Sequence, residues 1–381
     1  MKILHIINSL SKGGAEGNLY RLCKFQKKKY NTKIDITILT LIDNGFYESE
    51  LRKLGIKVHS LKINPKRKLS DLIKKINKLR KLILDLSPDV IQSWMYHSNF
   101  LTLFIPKKFY DKVFWNIRHS ELNLRISKKV TIFLSLICGI FSKFIPKKIV
   151  YCSERSMQFH EKKHFYNKSK AALIYNGYNH ETYFPSKNLR INFRKKYKIK
   201  KKQFILGYAG RYAKQKNIPS LLSAFSKVVK KHNSIILFMA GRNINFKNKE
   251  LIYFINNLGI KKNIIFLNEQ KTLLKFYNGI DLLVLTSFSE SFPNVLPESM
   301  LCSTPVLSSD AGCSKKIIDK FGFVMENNDE QSIFKNLNKV IQYSIKNKKK
   351  WKFLKKKSRL QIMKEFSISK MSKEYLKNWV L

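Results

Sequence analysis

The sequence predicts an α/β protein built from two doubly wound, Rossmann-like domains facing a central cleft, and three observations carry that expectation. Short apolar runs alternate with amphipathic stretches along nearly the whole chain, the pattern of parallel strands joined by crossover helices. At 381 residues, 44% of them apolar, the chain exceeds one ordinary core and can fill two. Near its middle, NGYNHETYFPSKNLR (176–190) is rich in turn formers and has no periodicity, which places a linker near Pro185. The expected division is residues 1–185, residues 186–365, and a C-terminal helix over 366–381 that packs back on the first domain.

Taken in order, strands are expected at 2–7, 33–40, 57–61, 89–93, 112–117, 147–152 and 171–175 in the first half. In the second half they fall at 204–208, 235–240, 263–267, 281–286, 305–308 and 322–325. MKILHIINSL opens the series: its apolar run is broken by His5 and is too short for a signal-peptide core, so it reads as the first strand. In such domains ligands bind beyond the carboxyl ends of the strands, and the loops there are where chemistry is expected.

Charge restricts the partners. The chain has 75 Lys+Arg against 25 Asp+Glu, a net +50 spread over both halves, which draws it to polyanions. Nucleic acid and an anionic membrane leaflet both answer that description. Five cysteines, at 23, 138, 152, 302 and 313, are scattered without metal or redox spacing and read as reduced cytosolic thiols.

Four strand-end loops stand out. NSLSKGGAEGNLYRL places Gly13 and Gly14 between the first strand and a helix, where the backbone can approach an anion or simply turn tightly. GYAGRYAKQKNIPSL sets Gly210 at a strand end with Arg211 and Lys216 after it, a fixed fork and a movable charge suited to a diphosphate. SFSESFPNVLPESM (287–300) places Glu290 in a loop and Glu298 in the first turn of a helix, since Pro297 is tolerated only there. Carboxylates so placed can accept paired hydrogen bonds from sugar hydroxyls; alternatively Glu298 favours the helix dipole and Glu290 is solvated. VFWNIRHSEL puts His119 after a strand, a position as suited to structure as to chemistry.

With these loops together, the sequence resembles the retaining glycosyltransferases of family 4, which have the GT-B fold. The resemblance runs through GGAE (13–16), PDVIQSW (88–94), IRHS (117–120), IYNGYNHETYFP (174–185), GYAGRYAKQKNIPSLLSAF (207–225), YNGIDLLVLTSFSESFPNVLPESM (277–300) and STPVLSSDAG (303–312). It implies transfer of a sugar from a nucleotide donor, UDP-linked by expectation, to a glycan or lipid-linked acceptor with retention, in bacterial envelope polysaccharide or lipopolysaccharide synthesis. By the same resemblance Glu298 holds the ribose, Glu290 faces the donor sugar, and Arg211 and Lys216 clamp the diphosphate leaving group. Gly13 and Gly14 form a loop closing over the diphosphate and acceptor, His119 contacts the donor sugar, and Asn294 and Val295 present backbone N–H groups to phosphate. No metal and no cofactor is implied, the nucleotide-sugar being a substrate. The enzyme is then cytoplasmic, at or near the inner membrane face. Two departures are visible: Ser303 replaces a usual glycine, a small change read as harmless, and Lys316 stands where a glutamate is usual, leaving Gly312 as the surviving glycine of a pair.

Other signals point elsewhere. HEKKH (160–164) matches a zinc-protease pattern but lacks a third ligand downstream, and a solvated helix face is the expectation. KKVTIFLSLICGIFSKFIPKK (128–148) is too short to span a bilayer; it packs in the core or lies in a membrane plane beside the basic amphipathic SDLIKKINKLRKLILDL (70–86). KNKKKWKFLKKKSR (346–359) has few interleaved aromatics and reads as a solvated helix rather than a nucleic-acid arm. A glycoside hydrolase would use two carboxylates but has no need of Arg211 and Lys216, and a basic nucleic-acid- or membrane-binding protein without transferase activity explains the charge alone.

Overall fold

Two wholly parallel sheets organise the chain in a computed structural model that describes residues 1–43, 45–64, 69–122, 124, 127–232 and 234–380. The first holds β1 (Lys2–Ile7), β2 (Asp35–Thr40), β3 (Lys57–Ser60), β4 (Val90–Trp94), β5 (Val113–Ile117), β6 (Lys148–Tyr151) and β7 (Ala171–Leu173), in spatial order β3-β2-β1-β4-β5-β6-β7. The second holds β8 (Phe204–Ala209), β9 (Ile235–Ala240), β10 (Ile264–Asn268), β11 (Leu282–Leu285), β12 (Val306–Ser309) and β13 (Phe323–Met325), in order β10-β9-β8-β11-β12-β13. Every expected strand is present, with ends shifted by a residue or two. Each sheet reverses its winding direction once, between β1 and β4 and again between β8 and β11.

The strands read as continuous apolar runs because helices cover both faces of each sheet. In β1, Ile3 and Ile7 enter one core while Leu4 and Ile6 enter the other, on the opposite face. His5 shares the face of Ile3 and Ile7, accepts a hydrogen bond from Trp94 Nε1 at 3.2 Å, and is held uncharged, its pKa lowered to about 3 by burial.

The chain divides into a unit of Met1–Gly177 with Ile368–Leu381 and a unit of Tyr178–Ser367. The crossing therefore falls near the start of the turn-rich run rather than at Pro185. Backbone bonding accounts for this: the Gly177 N–H donates to Met371 Sδ at 3.0 Å, within the first unit, whereas the Tyr178 N–H donates to the Phe366 carbonyl at 2.9 Å, within the second. The helix Ile368–Val380 belongs to the first unit, where Trp379 Nε1 donates to Gln92 Oε1 at 3.0 Å and Arg118 donates to the Tyr375 hydroxyl at 2.6 Å. In the second unit the incoming helix Lys187–Lys196 is tied down by Asp281, which pairs with Arg190 at 2.5 Å and Arg194 at 3.3 Å and accepts from the Ile205 N–H at 2.8 Å.

The two histidines of HEKKH do not lie on the solvated face that carries Lys162 and Lys163. His160 and His164 are both buried in the first unit, on the inner side of the helix Glu154–Lys163 and its C-cap. His160 Nδ1 donates to the Ser156 carbonyl at 2.7 Å, so Nε2 is the acceptor for the Tyr96 hydroxyl, also at 2.7 Å. Both ring nitrogens are taken, which leaves no lone pair for a metal. The helix Leu69–Leu86 likewise turns Leu79 and Ile83 into the core, while Leu72, Ile73 and Leu84 stay exposed, so the apolar residues of 70–86 face inward only in part.

Candidate active site

In the second unit the sheet's switch point lies between β8 and β11, and the loops leaving these two strands carry most of the expected site residues. A switch point leaves a crevice because the connections from the two strands run to opposite faces. Gly210 follows β8; Arg211 comes next, exposed, its guanidinium within 3.4 Å of Gln215 Oε1. The loop then makes one 3₁₀ turn, Lys214–Lys216, and enters the helix Ile218–Lys231 through Asn217 with φ +52°. Asparagine tolerates that left-handed backbone better than most residues.

After β11, Ser287 and Glu290 meet Lys216. The Lys216 ammonium forms an ion pair with Glu290 Oε1, and the Ser287 hydroxyl donates to the same oxygen at 2.7 Å. The two loops are also joined through the backbone, by the Phe288 N–H to the Gln215 carbonyl at 2.8 Å and by the Thr286 hydroxyl to the Lys216 carbonyl at 3.1 Å. A third loop, after β12, closes on them: the Ser309 hydroxyl donates to the Ser287 carbonyl at 2.7 Å, and the Cys313 N–H to the Ser291 carbonyl at 3.1 Å. Gly312 has φ +61°, and a Cβ there would sit 1.9 Å from the Glu290 carbonyl oxygen. Only glycine allows that approach, which explains why this glycine survives where its neighbour is Cys313.

Glu298 lies in the first turn of the helix Val295–Leu301 and is buried, with Oε2 accepting from the Tyr277 hydroxyl at 2.9 Å. Burial, and then the Glu298 charge, push the Tyr277 phenol well above its usual pKa, so it stays a donor. Asn294 makes no side-chain cap for this helix; its Oδ1 accepts from the Tyr178 hydroxyl. Val295 is the first helical residue. Lys316 is exposed on the helix Ser314–Ile318.

The first unit holds the remaining three. Gly13 is the N-cap and Gly14 the first residue of the helix Gly14–Tyr30, after β1 at that sheet's own switch point. The absent Cβ of Gly13 leaves room for Glu16, whose Oε2 lies 2.2 Å from where it would be. Burial raises the Glu16 carboxyl above its ordinary pKa, partly offset by hydrogen bonds from its own backbone and from Ser11. His119 stacks on Tyr96 at 5.6 Å with the rings 8° apart, and Ser156 Oγ donates to its carbonyl. Its neighbour Arg118 lies over Trp94 and donates to Asn116 Oδ1 at 2.6 Å, which makes it a tie within the unit.

Sequence reasoning missed Ser287, Tyr277, Tyr178 and Glu16. Serine and tyrosine carry no charge signature, and only the fold shows that they address the two glutamates and Asn294. Glu16 stood in the quoted GGAE without a role, since nothing in spacing alone folds its carboxyl over Gly13.

The described residues gather no three His, Cys, Asp or Glu side chains in an arrangement that could hold a metal. What they do gather in the second unit is cations beside acids at strand ends, the combination that meets a phosphorylated, hydroxyl-rich ligand.

Known proteins share this plan. An uncharacterized glycosyltransferase of Methanocaldococcus jannaschii is 29% identical over 153 residues, 39% of this chain and 38% of that protein. The capsular polysaccharide biosynthesis glycosyltransferase CapM of Staphylococcus aureus is 24% identical over 152 residues, 39% of each. The matched stretches thus span well under half the length of these curated relatives. The crystal structure of HepE from Anabaena in complex with UDP superposes with a TM-score of 0.82 over 99% of both chains at 18% identity. The model Glycosyltransferase Family 4 matches residues 12–182 and the model Glycosyl transferases group 1 matches residues 190–360. With one of these models on each half of the chain and the GT-B plan in both sheets, the chain belongs to the family 4, group 1 glycosyltransferases.

Proposed function

We propose that the protein transfers a hexose from a UDP-sugar to a glycan or lipid-linked acceptor with retention at the anomeric carbon, in envelope polysaccharide synthesis and at the inner face of the cytoplasmic membrane. The observation that carries this reading is the joining of Lys216, Glu290 and Ser287 at the β8/β11 switch point, with Glu298 buried in the following helix. Arg211 and Lys216 meet the diphosphate. As the bond from the anomeric carbon to phosphate breaks, they neutralise the charge left on the leaving oxygen. Glu298, fixed by Tyr277, accepts from the ribose hydroxyls, and Glu290 faces the sugar. Held against Lys216, Glu290 serves as an electrostatic partner in a front-face transfer, in which the acceptor oxygen takes the leaving group's side and passes its proton to the departing phosphate. The family resemblance makes His119 the candidate contact for the sugar and Gly13 and Gly14 the candidates for the diphosphate. The UDP of the Anabaena complex and the capsular role named for the staphylococcal relative support the choice of donor and pathway.

The test is release of free nucleotide from a panel of UDP-, GDP- and ADP-sugars by purified protein, with the anomeric configuration of any product read by NMR. One donor should be turned over, Glu298→Ala should weaken its binding without unfolding the chain, and Arg211→Ala should slow turnover about 10²-fold or more. Donor affinity unchanged in Glu298→Ala would remove the ribose assignment, and near-normal turnover in Arg211→Ala would remove the clamp.

A further inference from the structure

The helix Lys129–Phe141 of the first unit is seated the wrong way round for a core helix. Its buried residues are small: Ser135, Cys138 and Gly139, at i, i+3 and i+4, with Ser142 just beyond. Each is fixed to the unit beneath it. Ser135 Oγ bonds His164 Nδ1 at 2.7 Å, the Cys138 thiol approaches the Tyr96 carbonyl at 3.7 Å, and the Asn167 N–H donates to Ser142 Oγ at 2.8 Å. A Cβ on Gly139 would lie 1.6 Å from the His164 carbonyl oxygen, so the helix backbone itself rests on the protein. Ile132 and Leu134 pack partly against the core, but several other bulky apolar residues point outward. Val130 is 61% exposed, Phe133 60%, Ile140 55% and Phe144, just past the helix, 72%. At 3.6 residues per turn these four share one side with Ile137 and Phe141.

An ordinary helix of a water-soluble domain buries most of its large apolar side chains, whereas this one leaves a contiguous stripe of them in water at a cost. Lysines 128, 129, 143, 147 and 148 flank the stripe, and residues 128–148 include no acid. Aromatic and aliphatic residues along one side, cations at both ends and no carboxylate fit an interface between hydrocarbon and anionic headgroups. A second copy of the chain is disfavoured, because apposing two such faces would bring both lysine sets together in a molecule already at +50. No described helix is long and apolar enough to cross a membrane, which agrees with a helix lying in its plane.

We propose that the helix Lys129–Phe141 with Phe144 docks the protein on an anionic lipid bilayer, inserting its outward phenylalanines while the flanking lysines meet lipid phosphates. The inference needs no part of the donor-site reading, since vesicle binding is measured without donor.

The experiment is co-sedimentation of the full chain with phosphatidylcholine vesicles, with or without phosphatidylglycerol, at low and at high salt. Charge alone would attract this protein to anionic vesicles at low salt, so the informative arm is retention at high salt. Wild type should stay bound to the anionic vesicles at high salt, whereas Phe133→Ser/Phe144→Ser should partition at least about tenfold more weakly and be released by salt. Both residues are exposed, so an unchanged far-UV circular dichroism spectrum and melting temperature serve as the variant's folding control. A single Phe144→Trp should shift its emission to the blue and be quenched by brominated lipid. Salt-labile binding equal in wild type and variant, a tryptophan that stays in water, or a wild-type dimer broken by the double substitution would each overturn the proposal.

Discussion

Two backbone positions near the candidate site have the same left-handed conformation with opposite residue choices. Gly312 at φ +61° is indispensable because a side chain would strike the Glu290 carbonyl. Gly312→Ala should displace the Glu290 loop and lower turnover by about 10²-fold, the scale of a misplacement near 1 Å, and should lower the melting temperature as well, since the left-handed backbone and the clash both strain the folded state. Turnover near wild type would show that the loop does not position Glu290. Ser303, the departure read as harmless in the sequence, has φ +57° where glycine is usual, and a side chain in that region is strained. Ser303→Gly should therefore stabilise the protein by about 0.5–1 kcal/mol, the glycine's greater unfolded-state entropy offsetting part of the relief. A loss of stability on denaturant titration would mean the serine side chain has a role that outweighs its strain.

At the scale of elements, strands were the most legible feature, because a parallel strand covered on both faces reads as a near-continuous apolar run, as IILFMA and LLVL do. The pairing of Lys216 with Glu290 was legible only as two loops about which strand order had yet to speak; the switch point brings them together. Helix faces were read less well. HEKKH and the 128–148 stretch were misplaced or left open for the same reason: histidine and small residues fit either side of a helix, and only close backbone packing decides. Burying His160 has a measurable consequence. Its pKa is lowered from 6.5 to about 3, chiefly by burial, so below pH 6.5 the unfolded chain takes up a proton that the folded one refuses. The contribution to stability is complete above pH 6.5 and is lost as pH falls, at about 1.4 kcal/mol per pH unit for each such histidine. His5 adds a second equal slope. Between pH 6.5 and 5, before most carboxylates titrate, unfolding free energy should decline with pH, and His160→Gln should remove one histidine's share of the slope whatever it costs at pH 7. Equal slopes in the two proteins would mean that His160 is protonated in the folded state.

For the whole molecule the dominant fact is charge. Seventy-five cations share 25 acids, so most lysines have no carboxylate to answer them, and several of the ion pairs that do form, such as Lys53 with Glu50 and Lys227 with Glu330, are exposed and individually weak. Self-repulsion across a folded unit is then larger than the attraction those surface pairs supply, and it grows as salt is removed. Raising ionic strength from about 10 mM to about 150 mM shortens the screening length from about 30 Å to about 8 Å, which quiets repulsion between distant lysines more than attraction within contact pairs. The melting temperature should therefore rise with sodium chloride over this range. A further rise with sulfate at matched ionic strength would show that the anion acts beyond screening, by binding or by exclusion from the surface. A melting temperature that falls as salt is added would mean that the few ion pairs, the partly buried Asp281 cluster foremost, outweigh the repulsion of the rest.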